Sequence, residues 1–298
     1  MRPRGAAASG GREWIHAWLL LLPALVLLAT FTHWPAFATF IDSFYSTPRG
    51  SRAGAWVGLA NYQVMVDDPV FWKAVKNNLL FAGATIPLSI GLALVMALWV
   101  NERITGRAFL RMAYFTPTVL PMIAVANIWL FFFTPQYGLL EQVLSVFGVP
   151  PHNWLGDPST ALACITVVAV WKEAGFFMIF YLAALQTLNP SLREAAAIEG
   201  ASRWYFFKRI QWPLLMPTTL FVLVNAVING FRMVDHVFIL TRGGPDNATI
   251  LLLYHLYEVG FKFWDTAYAS AITVVLVVVL ASVSLFQFFV IDKRVHYR

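Results

Sequence analysis

The chain has 298 residues, 59% of them hydrophobic and only 12% charged, with a formal net charge of +6. A soluble domain carries about twice that share of charge, so a water-surrounded globule is excluded. The Lys and Arg flank apolar runs instead of forming a basic surface, which argues against nucleic acid as a partner, and the single Cys164 permits no intrachain disulfide.

Residues 1–13 are Gly- and Ala-rich with Arg2, Arg4 and Arg12, and form an expected N-terminal tail. An apolar run at 14–40 follows. It is too long for the core of a signal peptide and lacks a clear cleavage site, so it is expected to be a first span. A polar loop at 45–72 contains Gly58-Leu59-x-Asn61-Tyr62. Span 2 is expected at 76–100, and a short basic turn with Arg103, Arg107 and Arg111 leads to span 3 at 110–133, which carries Pro117 and Pro121. Residues 134–158 hold no Lys or Arg. Span 4 follows at 159–187, a polar loop at 188–212, and span 5 at 213–236. The turn-rich Thr241-Arg242-Gly243-Gly244-Pro245 precedes span 6 at 266–291, and 292–298 form a C-terminal tail.

Each run is long enough to cross about 30 Å of hydrocarbon at about 1.5 Å per residue. The expected fold class is therefore an all-α integral membrane protein whose six-span domain covers 14–291. Six spans place both termini on one side. Thirteen of the 21 Lys and Arg lie in the two tails, the 101–111 turn and the 188–212 loop, against six in and beside the other loops, so the termini are expected in the cytoplasm.

The 188–212 loop is the longest polar interruption on that side. Ser191-x-x-Glu194 suits a capping box, and Asn189-Pro190 is a competing helix start. Gly200 suits a helix end, and a second short helix follows with Phe206, Phe207 and Ile210 on one face and Lys208 on the other. Pro213 suits the first turn of the next helix. The outcome is two short helices joined by a Gly elbow, a partly apolar knob that needs a partner to cover it.

The order Glu194-Ala195-Ala196, three residues ending in Glu199, Gly200, nine residues, Ile210-x-x-Pro213 resembles the EAA loop of binding-protein-dependent ABC importer permeases. Glu199 stands where that family usually has Asp, and Trp212 where Leu is usual; neither change breaks the helix–Gly–helix pattern. The resemblance implies that Glu194, Ala195, Ala196, Glu199, Gly200, Ile210 and Pro213 form coupling helices that dock on an ATP-hydrolysing subunit. It also implies a second permease subunit, two ATP-binding subunits, an extracytoplasmic solute-binding protein and a home in the bacterial inner membrane among membrane lipid. The Gly58–Tyr62 and Thr241–Pro245 segments resemble the carbohydrate and glycerol-phosphate branch.

The chain's own chemistry agrees with a subunit that does not hydrolyse ATP. There is no G-x-x-x-x-G-K-S/T, so no cofactor is expected here and ATP falls to the partner. The six His show no zinc-type spacing, and no nucleophile elbow occurs, so neither a metal site nor an enzyme is expected. A secondary transporter would need coupling-ion ligands and often an internal repeat. A membrane enzyme would need a catalytic cluster. Neither feature is evident.

Polar groups within spans mark candidate solute contacts. Asn225, Asn229, Arg232 and His236 fall within about 60° of one another on an ideal helix, as a path lining would. Packing between helices is the competing account for the two Asn. Lys172 and Glu173 are the remaining intramembrane charges, and Lys172 is expected to meet a carboxylate in this subunit or its partner.

Overall fold

The computed structural model describes residues 10–102, 105–287 and 289, with side chains described from residue 14. Most of the N-terminal tail, Arg103 and the 292–298 tail lie outside the described residues. Helices dominate, and the extended pairing among the described residues is limited to two isolated bridges. Five helical runs are long and apolar enough to cross a membrane, and a bent pair brings the number to six when counted as one span.

Two compact units are present. One comprises the described residues up to Met65 together with Val259–Val275; the other comprises Val66–Glu258 and the described residues from Leu276.

In the first unit, α1 (Gly10–Leu28) and α2 (Trp34–Asp42) are joined through a π-turn, Ala29–His33. Trp34 donates its N–H to the Ala29 carbonyl, five residues back. Pro35 follows directly, and its ring would strike the carbonyl four residues earlier in a regular helix, so the widened turn relieves the clash. After α2 the chain folds back on itself. Asn61 Nδ2 donates to the carbonyls of Ser43 and Tyr45, each at 2.8 Å, and the Tyr62 hydroxyl lies 2.8 Å from Ser43 Oγ. The Asn-Tyr of the 58–62 segment thus satisfies backbone at the end of α2 and closes the loop. Next, α3 (Ala60–Asp67) leads out of this unit.

In the second unit, α4 (Pro69–Asn101) starts earlier than the hydropathy pattern indicates, because Asp68 caps it by accepting from the Val70 N–H at 2.7 Å and Pro69 occupies the first turn. The expected span 3 is broken. It consists of α5 (Arg107–Val119) and α6 (Met122–Phe133), which meet at 103°. Pro121 forces Leu120 out of the helical region to φ −72°, ψ 135° and supplies no N–H to continue the ladder. The loop at 134–158 contains α7 (Leu139–Val146) and is ordered by Glu141, whose carboxylate accepts N–H bonds from Gln136 and His152. Nearby, the Ser159 hydroxyl and amide hold the Asp157 carboxyl below its ordinary pKa.

The core of this unit lies where α4 and α8 (Ala161–Thr187) run together and meet α11 (Trp212–Arg232). Ala93 and Ala97 of α4 face Phe177, Met178 and Tyr181 of α8 and Leu215 and Val222 of α11, all buried. Small residues let the backbones approach closely, as helix packing in lipid requires. At Gly175 of α8 a Cβ would sit 2.2 Å from the Tyr114 carbonyl of α5, so this crossing admits only glycine.

Between α8 and α11 stand α9 (Pro190–Ile198), α10 (Arg203–Phe206) and a π-turn, Phe207–Gln211. The sequence suggested a separate helix beginning at Pro213. Instead one helical run continues from Arg203 into the span. The Trp212 N–H bonds the Phe207 carbonyl just ahead of Pro213, repeating the device seen before Pro35. The span breaks after Arg232, resumes as α12 (Asp235–Leu240), and is followed by α13 (Leu252–Tyr257), a π-turn at Glu258–Lys262, and α14 (Thr266–Phe286). The loop just after the Thr241–Pro245 turn is pinned to α4: Asn77 Nδ2 donates to the Asn247 and Ile250 carbonyls, and Lys73 Nζ donates to the Asp246 carbonyl.

Candidate coupling loop and membrane pocket

The loop between α8 and α11 forms the elbow that its sequence suggests. Of the two possible starts, α9 takes Asn189, whose side chain accepts from the Ser191 N–H at 3.0 Å while Pro190 fills the first turn. A good cap next to a preset φ outcompetes the capping box two residues later. Glu199 ends α9. Gly200 then adopts φ +71°, its N–H bonds the Ala197 carbonyl at 3.2 Å, and the Ala201 N–H bonds the Ala196 carbonyl at 2.9 Å. These two bonds make a Schellman turn. Ser202 caps the next helix through the Tyr205 N–H at 3.2 Å.

Ala196 is buried, whereas Glu194, Ala195 and Glu199 are exposed. Phe206, Phe207 and Ile210 are half-buried and Lys208 is exposed, as the apolar arc predicts. Outside that arc, Ile198 is 88% exposed, Trp204 69% and Tyr205 56%. Three large apolar side chains exposed on a polar elbow are surface that a partner would cover. Arg193 Nη2 bridges both carboxylate oxygens of Glu102, at 2.8 and 3.0 Å, tying α9 to the end of α4.

At the far end of α11 lies a pocket of about 190 Å³ lined by Met122, Lys172, Glu173, Asn229, Arg232, Met233, Val234, Asp235 and His236. It brings together all but one of the span residues singled out by the sequence. Asn229 Nδ2 donates to Glu173 Oε2 at 2.8 Å. Lys172 Nζ donates to the carbonyls of Leu120 at 2.6 Å, Pro117 at 2.9 Å and Thr118 at 3.4 Å. Within this chain the ammonium therefore meets backbone oxygens rather than a carboxylate. Those oxygens are the unpaired carbonyls that the break in span 3 leaves at the end of α5, and an ammonium has three donors to offer them.

Asn225 is the exception. Its amide donates to the Phe221 carbonyl one turn back at 2.8 Å and does not line the pocket. His236 reaches the pocket by a different route from the continuous stripe that the sequence suggests, because the helix breaks at Met233–Val234 before resuming. It is fully buried, stacked on Phe81 with ring centroids 5.4 Å apart, and neither ring nitrogen has a hydrogen-bond partner among the described residues. Asp235 and Met122 were missed, since both join the pocket only through breaks in their spans. Thr85 and Ser89 on α4, buried beside Glu173 and Asn229, were missed too: single hydroxyls in an apolar run give little signal.

The profile of the family described as binding-protein-dependent transport system inner membrane component matches residues 89–297. The chain is 32% identical over 286 residues to the lactose transport system permease protein LacF of Rhizobium radiobacter, covering 94% of this chain and 95% of that one. It is 35% identical over 274 residues to the trehalose/maltose transport system permease protein MalF of Thermococcus litoralis, covering 91% and 92%. It is 33% identical over 281 residues to the sn-glycerol-3-phosphate transport system permease protein UgpA of Agrobacterium fabrum, covering 94% and 96%. A crystal structure of a bacterial ABC transporter involved in the import of the acidic polysaccharide alginate is similar in fold, with a TM-score of 0.85 at 24% identity over 95% of this chain and 96% of that one.

Proposed function

We infer the role of the parts from one premise: the chain belongs to the family of binding-protein-dependent transport system inner membrane components. It is a permease subunit of an ABC importer, a transport component and not an enzyme, and it works with a periplasmic binding protein and an ATPase. The solute is a carbohydrate or a related polyol or glycerol phosphate, the range that the named relatives span. A second permease of similar fold and two ATP-binding subunits complete the assembly. Both termini face the cytoplasm, with the six-span domain at 14–291 and the coupling loop at 188–212.

The observation that carries the coupling reading is the elbow. Glu194, Ala195, Ala196, Glu199 and Gly200 shape a closed turn beside exposed apolar side chains, and the second arm, through Ile210 and Pro213, continues without a break to the pocket. A rigid helix between the two carries a displacement at the ATPase to the groups that hold solute. In the pocket, Glu173, Asn229 and Arg232 are the solute contacts, while His236, fully buried against Phe81, backs the pocket wall. Carboxylate, amide and guanidinium groups match the paired donors and acceptors of vicinal hydroxyls. Lys172 holds the break in span 3 and positions Met122 at the pocket.

Single cysteines at 225, 229 and 232, in a chain with Cys164 replaced, test this assignment. Positions 229 and 232 should react with a membrane-impermeant thiol reagent in the assembled importer, and solute-loaded binding protein should slow both. Position 225 should not respond to solute. Labelling of 229 and 232 that is indifferent to solute, with uptake intact after Asn229→Ala, would assign these groups to packing.

A further inference from the structure

The polar segment between α2 and α3 carries a feature that the transport reading does not use. Arg49 and Arg52 face each other across a two-residue hairpin, Gly50–Ser51. The Arg49 N–H donates to the Arg52 carbonyl at 3.2 Å, and the Arg52 N–H returns the bond at 3.1 Å. Gly50 takes φ +60°, which such a turn needs. Like charges directly opposite one another on paired backbone repel. Both side chains are exposed, and neither has an ion-pair or hydrogen-bond partner among the described residues. The sequence could have used any polar residue at a hairpin tip; it places two donors with no acceptor between them.

The two arginines line a pocket of about 430 Å³ together with Ser46, Thr47, Asn61 and Asp265. Several of these groups are already occupied. Asn61 holds the carbonyls of Ser43 and Tyr45. Thr47 Oγ1 donates to Asp265 Oδ1 at 2.5 Å and accepts from the Ala267 N–H at 3.0 Å, while Asp265 Oδ1 also accepts from the Tyr268 N–H at 3.1 Å. The unspent hydrogen-bonding capacity is therefore mostly cationic, with one carboxylate in the same lining.

The location narrows the ligand. The hairpin begins just past Asp42, the last residue of a span in which no residue is buried. Trp56, 64% exposed, stacks on Phe44 with centroids 5.6 Å apart and packs edge-on to Tyr45 at 5.3 Å. Indole and phenol rings at the end of a span belong to the boundary between headgroups and water. Arginines beside them lie at the depth of lipid phosphate.

We propose that Arg49 and Arg52 bind the phosphate of a phospholipid headgroup in the outer leaflet, with Asp265 meeting the headgroup amine, so that the favoured ligand is a phosphoethanolamine lipid. The outer-leaflet placement rests on the orientation argued above. A guanidinium pair offers the planar donors that phosphate oxygens accept, and the bound anion removes the repulsion across the hairpin.

Native mass spectrometry of the whole importer, purified and exchanged into an equimolar mixture of phosphatidylethanolamine and phosphatidylglycerol, tests the proposal. The wild-type complex should retain phosphatidylethanolamine, and an R49Q/R52Q double variant should retain about tenfold less. Asp265→Asn, which preserves a helix cap, should shift retention toward phosphatidylglycerol. Equal retention by wild type and double variant would overturn the site. So would competition by inorganic phosphate as strong as that by lipid, which would indicate a free-anion site. A double variant with unchanged lipid but a weakened, salt-sensitive affinity for the binding protein would reassign the arginines to that protein. Labelling of a Ser51→Cys variant from the cytoplasmic side only would contradict the orientation, and it is read independently of the lipid. Binding-protein-stimulated ATP hydrolysis, measured on the same double variant, tests the transport reading separately.

Discussion

In a Gly200→Trp variant, solute uptake is expected to fall at least about tenfold while the chain still inserts and assembles. The reason is local. Gly200 sits at φ +71°, where a residue with a Cβ pays about 1–2 kcal/mol. No neighbouring atom lies within 4 Å of the added Cβ, so the variant does not disrupt the core and the strain falls on the turn alone. The turn relaxes by opening the Gly200–Ala197 and Ala201–Ala196 bonds, which changes the angle between α9 and α10. An elbow at the wrong angle still lies at the surface, but it no longer holds Ile198 of α9 in its native position relative to Trp204 and Tyr205 of α10. Gly200→Asn is the informative companion, because Asn tolerates this backbone region and ends helices in the same way. Uptake and solute-stimulated ATP hydrolysis should be near wild type for Asn and largely lost for Trp. Two equally active variants would remove the elbow's geometry from the coupling account; two equally inactive ones would mean that the side chain, not the backbone, matters.

The second large effect lies within the membrane. Gly175→Leu should abolish recovery of assembled complex. A Cβ at 175 would lie 2.2 Å from the Tyr114 carbonyl and 3.3 Å from Thr118 Oγ1, so α5 and α8 would be forced apart along their whole crossing. Overpacking of this kind costs about 1–3 kcal/mol and occasionally more, and here the obstacle is backbone, which cannot swing aside. The same crossing brings Lys172 to the carbonyls at the end of α5, so separation also leaves a charge unpaired in a low-dielectric setting. Gly83 and Gly91 on α4 meet nothing within 4 Å of an added Cβ, so Gly→Ala there should leave the yield unchanged. Detergent-solubilised complex, quantified by size-exclusion chromatography, distinguishes the two classes. A normal yield for Gly175→Leu would show that the crossing is looser than described.

The features legible in the sequence are those set by local chemistry. Gly200 suited a helix end, and the apolar arc of Phe206, Phe207 and Ile210 follows from helical spacing; the Ser202 cap was not read from the sequence. Long apolar runs announced the spans. What escaped was set by departures from regular helix. Pro117 and Pro121 were visible, yet nothing local says which of two prolines in a span bends it and which breaks it. Pro213 looked like a start because a proline without an N–H fits a first turn equally well; the π-turn that absorbs it depends on the helix behind. The partners of Lys172 could not be named without the break, since most of its carbonyl acceptors would be taken up by the backbone ladder of an unbroken span. Asn225 looked like a pocket residue on an ideal helix and is not one, because it sits a turn below the pocket with its amide on the Phe221 carbonyl, whereas Asp235 arrives there only because α12 restarts the helix.

The central claim is that this chain passes solute across the membrane in step with ATP hydrolysis by a separate subunit. Reconstitution of the full complex in proteoliposomes, with ATP and the ATPase on one face and binding protein on the other, tests it most directly. Hydrolysis should rise when solute-loaded binding protein is added, and solute should accumulate on the ATP side only while ATP is present. Accumulation driven by an ion gradient without ATP, or hydrolysis indifferent to loaded binding protein, would contradict the account.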